Sequence, residues 1–197
     1  MTGPGDLAAQ KRALRAQARA RLAAITPEAQ TEASERIRAH LRGFTPWIEA
    51  TTVVAYLCEG TGEPDVDGLL REGLASGKSI GVPRMDWQAG TMEARVLADL
   101  ERVEVRRHGV REPLEDAPAC ERADLILVPG LAFDSSGGRL GRGAGFYDRF
   151  LGEQELSTSA PVLGVCFAEQ LVDRVVRDTH DVGVGMLVTQ DGVLPTG

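Results

Sequence analysis

The chain has 197 residues, 43% hydrophobic and 26% charged, which is enough for a substantial core in one domain. A formal charge of −7 and a pI near 5.1 argue against a nucleic-acid binder, which needs a basic surface to displace counterions. Cys58, Cys120 and Cys166 lie far apart with no C-x-x-C spacing, so neither a disulfide framework nor a zinc site is expected, and each reads as a small buried apolar residue.

The opening residues, MTGPGDLAAQ, lack the apolar centre of a signal peptide, and no run approaches 18 apolar residues. A cytoplasmic protein without membrane contact is expected. Residues 7–24 read as a helix rich in Ala, Leu, Arg and Gln. Leu7, Leu14, Ala18 and Leu22 form its apolar stripe, and Lys11, Arg15 and Arg19 form an i, i+4, i+8 row beside it. Taken alone, that row is a solvated charged face. Thr26-Pro27-Glu28 supplies an N-cap, a first-turn proline and a dipole-friendly acid for a second helix to about Leu41, with Ile37 and Leu41 inward.

A β-branched run at 51–57 predicts the first strand, 59–64 a loop, 66–74 a helix, and 79–82 a strand ending at Pro83. Residues 91–97 predict another strand, with Trp87 and Met92 read as packing residues. Residues 106–119, with Pro113 and Pro118, predict irregular chain. Farther on, 161–167 predicts a strand, 171–176 a helix or irregular connection, 182–189 a final strand, and Gly192 a closing turn. No long-period repeat is present, so a solenoid is excluded. Strands alternating with helices predict an α/β domain with a largely parallel sheet and binding loops at the strands' carboxyl ends.

The most informative stretch is 124–151, DLILVPGLAFDSSGGRLGRGAGFYDRFL. An apolar strand at 125–128 is stopped by Pro129-Gly130, and a loop with Gly137, Gly138, Gly141, Gly143 and Gly145 leads into a helix. Successive glycines let backbone N–H groups approach an anion, a helix start adds its dipole, and Arg139 and Arg142 add two positive charges, so a polyphosphate is the expected guest. The loop is not a Walker motif, because Ala144 and Gly145 stand where Lys and Ser/Thr belong, and the G-x-G-x-x-G fingerprint also fails. In the helix, Phe146 with Phe150 and Tyr147 with Leu151 make one apolar arc. Asp148 falls just outside it, either as a dipole partner or as a ligand to phosphate-bound Mg²⁺. The pair His180-Asp181 invites a triad reading, but no nucleophile elbow accompanies it, and Asp181 alone reads as a turn residue.

The segment PGLAFDSSGGRLGRGAGFYDRFL resembles the signature of the 5-formyltetrahydrofolate cyclo-ligase family. Other elements agree in order: KRALR at 11–15, an E-x-D element at Glu63 and Asp65, VPRM at 82–85, GVREP at 109–113, and HD at 180–181. Family members commonly read E-V-D-T where this chain has Glu63-Pro64-Asp65-Val66. The sequence suggests no role for GVREP.

The resemblance implies a three-layer α/β/α fold like that of sugar-phosphate isomerases and CoA transferases. Residues 1–197 would form one domain, with 1–45 a helical arm on the core. The implied reaction is ATP- and Mg²⁺-dependent cyclisation of 5-formyltetrahydrofolate to 5,10-methenyltetrahydrofolate by a monomer acting on small molecules. Nucleotide contacts would come from Lys11, Arg12, Ala13, Leu14 and Arg15, and from Arg139, Leu140, Gly141, Arg142, Gly143, Ala144, Gly145, Phe146 and Tyr147. Folate contacts would come from Arg15, Leu57, Glu63, Arg142, Gly143, Ala144, Gly145 and Phe146. Arg142 would act on the transferring phosphoryl, and Asp148 and Asp181 would hold Mg²⁺. Two readings compete: a non-catalytic folate- or nucleotide-binding relative and, more weakly, a sugar-phosphate isomerase on the same scaffold.

Overall fold

The structure is a computed structural model that describes residues 4–60, 62–153 and 160–197. It opens with three helices, α1 (Pro4–Ala23), α2 (Pro27–Arg42) and α3 (Thr45–Glu49), then β1 (Thr52–Val54), α4 (Asp67–Ala75), β2 (Ser79–Asp86) and β3 (Thr91–Val96). A hairpin follows, β4 (Val103–Val105) and β5 (Arg111–Pro113), then β6 (Leu125–Val128), a short ribbon of β7 (Ala132–Phe133) and β8 (Arg139–Leu140), and α5 (Phe146–Glu153). The chain closes with β9 (Val162–Val165), β10 (Met186–Thr189) and β11 (Gly192–Pro195). Among the described residues no helix is long and apolar enough to cross a membrane.

Seven strands form one sheet in the order β11-β10-β9-β6-β1-β2-β3. The five inner strands are parallel, and β3 and β11 join antiparallel at the edges. The centre is covered on both faces, so β1 and β6 are buried throughout and β6 reads as an unbroken apolar run. The two-residue period of a strand divides β6 between the faces. Leu125 and Leu127 pack with Ile37 and Leu41 of α2 and Leu69 and Leu70 of α4. Ile126 and Val128 pack with Phe146, Phe150 and Leu151 of α5. Three layers result. Thr26 caps α2 as its sequence predicts, its hydroxyl accepting from Ala29 N at 3.2 Å.

Several local expectations give way to tertiary context. The strand expected to stop at Pro83 runs through it to Asp86. Pro83 opposes Ala94, whose carbonyl is taken from the other side by Cys120 N, and the β1–β2 ladder ends at Gly81, so the missing N–H forfeits no sheet bond. The stretch expected to be irregular at 106–119 contains a 3-10 turn, Arg107–Gly109, and β5, which pairs back on β4. Strand β1 keeps only three residues of the predicted 51–57, although Ala55, Tyr56 and Leu57 stay buried. Residues 171–176 are irregular, and Gly192 turns β10 back into β11, a strand the sequence reading lacked.

Candidate active site

The loops after β1, β2 and β6, with one face of α1, enclose a cavity of ≈ 650 Å³, within the range of small-molecule sites. It sits at the carboxyl ends of the parallel strands, where helix dipoles and connecting loops converge.

The segment after β6 is built differently from a plain glycine loop. Asp134 accepts from Ser136 N, Ser136 Oγ, Gly138 N and Val175 N at 2.6–2.9 Å and folds the chain into the β7–β8 ribbon. Gly137 (φ 80°) turns that ribbon where a Cβ would lie 2.3 Å from Val184 O, a conformation and a space open only to glycine. Gly137 and Gly138 are therefore structural. Only Gly141, Gly143 and Gly145 line the cavity, which corrects the expectation of a cradle of five.

Arg139 leaves β8 almost wholly buried, and its Nη2 donates to Asp148 Oδ1 at 2.6 Å. Its guanidinium lies over the Tyr147 ring at 5.4 Å. Burial pushes the Tyr147 phenol up, and the Glu63 charge adds to it. Arg142 reaches across the cavity to Glu63 at 2.9 Å and Glu59 at 3.4 Å. Burial works against its charge, but the two carboxylates outweigh that and raise its pKa. Burial and the Glu63 charge lift the Glu59 carboxyl, with Arg142 opposing. The loop carrying both acids is held by Tyr56, whose hydroxyl donates to Pro64 O at 2.7 Å, and by Arg111, which donates to Cys58 O at 2.9 Å. Leu57 and Glu63 both face the cavity, as do Arg142, Ala144, Phe146 and Tyr147.

From α1, Lys11 contacts Asp181 and lies 2.9 Å from Asp178. Burial lowers its pKa, but these two carboxylates more than offset that. Arg15 Nε donates to Gly141 O at 3.0 Å. Helix periodicity explains which of the KRALR residues arrive. Lys11, Arg15 and Arg19 share the face toward the cavity, whereas Arg12 and Ala13 are exposed and Leu14 packs on the core. Arg12, Ala13 and Leu14, expected at the nucleotide, do not line the cavity, and Arg19 does.

Asp148 and Asp181 line the same cavity from α5 and the loop before β10. Asp148 Oδ1 accepts from Arg139 and from Val182 N, and Asp181 Oδ2 accepts from Lys11 and from Asp178 N. Among the described residues the second oxygen of each carboxylate has no hydrogen-bond partner. No group of three or more His, Cys, Asp or Glu suited to a metal occurs among them. Two carboxylates with free oxygens fit an Mg²⁺ ion that completes its shell with phosphate and water, and would not fit an all-protein cage.

Trp87 packs against the core, as expected, and also lines the cavity, and among the described residues its buried Nε1 has no partner. Met92 is core, as expected. The GVREP element gains a role: Arg111 pairs with Asp67 at 2.8 Å, and the buried Glu112 accepts from Met85 N at 3.1 Å. Together they fasten β5 to α4 and β2, bringing His108 and Val110 to the cavity wall. An aromatic two residues past VPRM was the available signal for Trp87. His180 is exposed and takes no part in a triad. Burial raises the thiols of Cys58 to about 11 and Cys166 to about 12, so neither is a ready nucleophile.

The model of the 5-formyltetrahydrofolate cyclo-ligase family matches residues 7–190. The chain is 36% identical over 177 residues to the 5-formyltetrahydrofolate cyclo-ligase of Mycolicibacterium smegmatis, covering 83% of this chain and 85% of the relative. It is 30% identical over 179 residues to the Escherichia coli 5-formyltetrahydrofolate cyclo-ligase, covering 89% and 97% respectively. The NMR structure of Aquifex aeolicus 5,10-methenyltetrahydrofolate synthetase superposes with a TM-score of 0.79 at 29% identity, covering 94% of this chain and 92% of that one. On these matches, which span nearly the whole sequence and the fold, the chain belongs to the 5-formyltetrahydrofolate cyclo-ligase family.

Proposed function

We propose that the protein uses ATP to close 5-formyltetrahydrofolate into 5,10-methenyltetrahydrofolate, releasing ADP and phosphate. One observation carries this reading: Arg142, from the glycine-arginine segment, donates to Glu63, the acid we assign to the pterin, at 2.9 Å. A phosphate-seeking cation and a folate-seeking acid therefore meet in one cavity. A carboxylate accepting two parallel N–H bonds suits a 2-aminopterin edge.

The formyl oxygen is a poor leaving group until it is phosphorylated. In the reaction we propose, that oxygen attacks the γ-phosphorus and the bond to ADP breaks, leaving an iminium phosphate. The second folate nitrogen then attacks the activated carbon and gives up its proton to solvent, the C–O bond breaks, and phosphate leaves with the former formyl oxygen. No protein nucleophile is required, in keeping with the raised thiol pKa values. The protein's work is alignment and charge neutralisation. Arg142 supports the transferring phosphoryl, Lys11, Arg15 and Arg139 hold the remaining phosphates, and Leu57 and Phe146 exclude water beside the folate. Asp148 and Asp181 would hold Mg²⁺, which supplies charge to the phosphates when bound.

An absorbance assay at the methenyl chromophore tests the proposal. The product band should grow with 5-formyltetrahydrofolate only when ATP and Mg²⁺ are both present. Binding of ATP and folate with no band would identify a non-catalytic relative instead.

A further inference from the structure

The proposed reaction sheds a proton when the second folate nitrogen closes the ring, beside the carbon that carries the phosphoryl group. A side chain that takes this proton has to lie within reach of Arg142, the group assigned to that phosphoryl. Among the described residues two carboxylates do so, Glu63 at 2.9 Å and Glu59 at 3.4 Å, both on Arg142 Nη2. Glu63 is the acid we assign to the pterin. Glu59, in the loop after β1, makes no hydrogen bond among the described residues, so Arg142 is its one ionic partner there. Its side chain lines the cavity and is also 22% exposed, which opens it to the substrate space on one side and to water on the other. The other acid–base groups of the cavity are engaged. Asp148 and Asp181 pair with Arg139 and Lys11, and Tyr56 donates to Pro64 O. Burial pushes the Tyr147 phenol up, and His108 Nε2 accepts from Arg107 at 3.2 Å.

We infer that Glu59 is the general base of ring closure, taking the proton from the second folate nitrogen as that nitrogen bonds to the activated carbon and passing it to solvent. The inference rests on the cyclo-ligase reading above. In this step the nitrogen lone pair forms the N–C bond, the N–H bond breaks with its electrons left on nitrogen, and phosphate departs with the C–O pair. Glu59 is a carboxylic acid until water takes the proton. The geometry also sets the timing. Arg142 is the counter-charge of Glu59 in the free protein, and a phosphoryl group that draws the guanidinium away leaves the carboxylate more basic at the stage when a proton must be accepted. Burial first and the Glu63 charge second already raise the Glu59 pKa, with Arg142 opposing. The groups that face it are Glu63 from the same loop, Arg142 from the glycine-arginine segment and Tyr147 of α5, whose phenol is raised in part by the Glu59 charge. Lys11, Arg15 and Arg19 of α1 and Arg111 of β5 line the same cavity and, among the described residues, form no ion pair with it.

Single-turnover kinetics of the full chain with ATP, Mg²⁺ and 5-formyltetrahydrofolate separate the two steps. Quenched samples report ADP from phosphoryl transfer, and absorbance reports the methenyl band from closure. In Glu59→Gln, which keeps the shape and loses the base, the band should lag behind ADP by about 100-fold, the lower end of general-base effects. Closure by the wild type needs the carboxylate, so its rate should fall as pH drops through the raised Glu59 pKa, and Glu59→Gln should lose that acid limb. Glu59→Asp retains a carboxylate and should recover part of the closure rate together with the acid limb, which a merely structural role would not give. A band that keeps pace with ADP in Glu59→Gln would hand the proton to solvent or to the departing phosphate directly and overturn the inference. Equal slowing of ADP and band would overturn it as well, by placing Glu59 before closure. Should Glu59→Gln fail to fold, a wild-type closure rate that stays flat with acid would be enough to discard the base. A wild type that forms no methenyl band would instead discard the cyclo-ligase reading itself.

Discussion

The cations of the cavity fall into two sets that differ in what holds them. Toward the α1 face, Lys11, Arg139 and Arg142 each grip a carboxylate of the same site: Asp181, Asp148 and Glu63. At the opposite rim, Arg107 and Arg149 rest on aromatic rings and backbone oxygens. Lys11 and Arg139 lie where water is scarce, and a charge there needs a counter-charge of its own, whereas Arg142 is half exposed and paired all the same. Among the described residues the second set has no carboxylate partner, although Arg149 is only partly exposed. The paired set is thereby held in place by counter-charges of the site, whereas the rim set is held by rings and backbone oxygens.

Removing the paired cation nearest the chemistry is the sharpest way to break this contrast. Arg142→Ala should lower turnover by ~100-fold or more if the guanidinium neutralises charge developing on the phosphoryl group. An unchanged steady-state rate would move Arg142 out of that role.

Arg139 tests burial. Arg139→Ala strands the Asp148 carboxylate, and because Asp148 keeps some water contact the loss should be about 2–3 kcal/mol, below the full cost of splitting a buried pair. Denaturant unfolding measures it, and a loss under about 0.5 kcal/mol would place the pair with ordinary surface bridges.

Exchange of partners also predicts coupling between substrates. A phosphate that draws Arg142 away frees Glu63 for the pterin, so a non-hydrolysable ATP analogue with Mg²⁺ should tighten 5-formyltetrahydrofolate binding by roughly 10-fold, with the reciprocal effect on the nucleotide. Independent binding would show that the Arg142–Glu63 pair is not exchanged.

A carboxylate at the far end of the sheet supplies the reference, a charged group with a purely structural role. Asp124 accepts from Thr51 Oγ1 at 2.7 Å, Thr52 N at 2.8 Å, Thr51 N at 2.9 Å and Arg122 at 3.2 Å. The Thr51 hydroxyl first, then the Thr52 N–H, hold it well below the usual carboxylate range. A depressed pKa contributes stability above the unfolded value of about 3.9, and that contribution is lost as pH falls toward the folded pKa. Asp124→Asn should therefore cost about 1 kcal/mol at pH 7 and progressively less below about pH 4, with turnover unaffected. A deficit that stayed constant with pH would mean the carboxylate charge plays no part.

Much of the architecture was legible because its causes are local. Thr26 with Pro27 starts a helix wherever they stand, and the apolar run of β6 can only be a buried strand or helix segment that Pro129-Gly130 cuts short. The row Lys11, Arg15 and Arg19 follows from helical period, and the same period explains why Arg12, Ala13 and Leu14 turn away. The glycine-arginine segment and its companions, in order along the chain, pointed to the family.

What the sequence alone determined, then, was the alternation of elements, the family and many of the residues that line the cavity, since each depends on spacing along a few turns of chain. Only the tertiary structure decided that Pro83 stays in a strand, that two of the five glycines build a ribbon, that Glu112 fastens one wall of the cavity, and that Trp87 faces its interior. Each of these depends on contacts between segments far apart in sequence: where β1 ends, what Val184 leaves open, which amide Glu112 can reach. Distances of that kind are set by packing and leave no periodic mark along the chain.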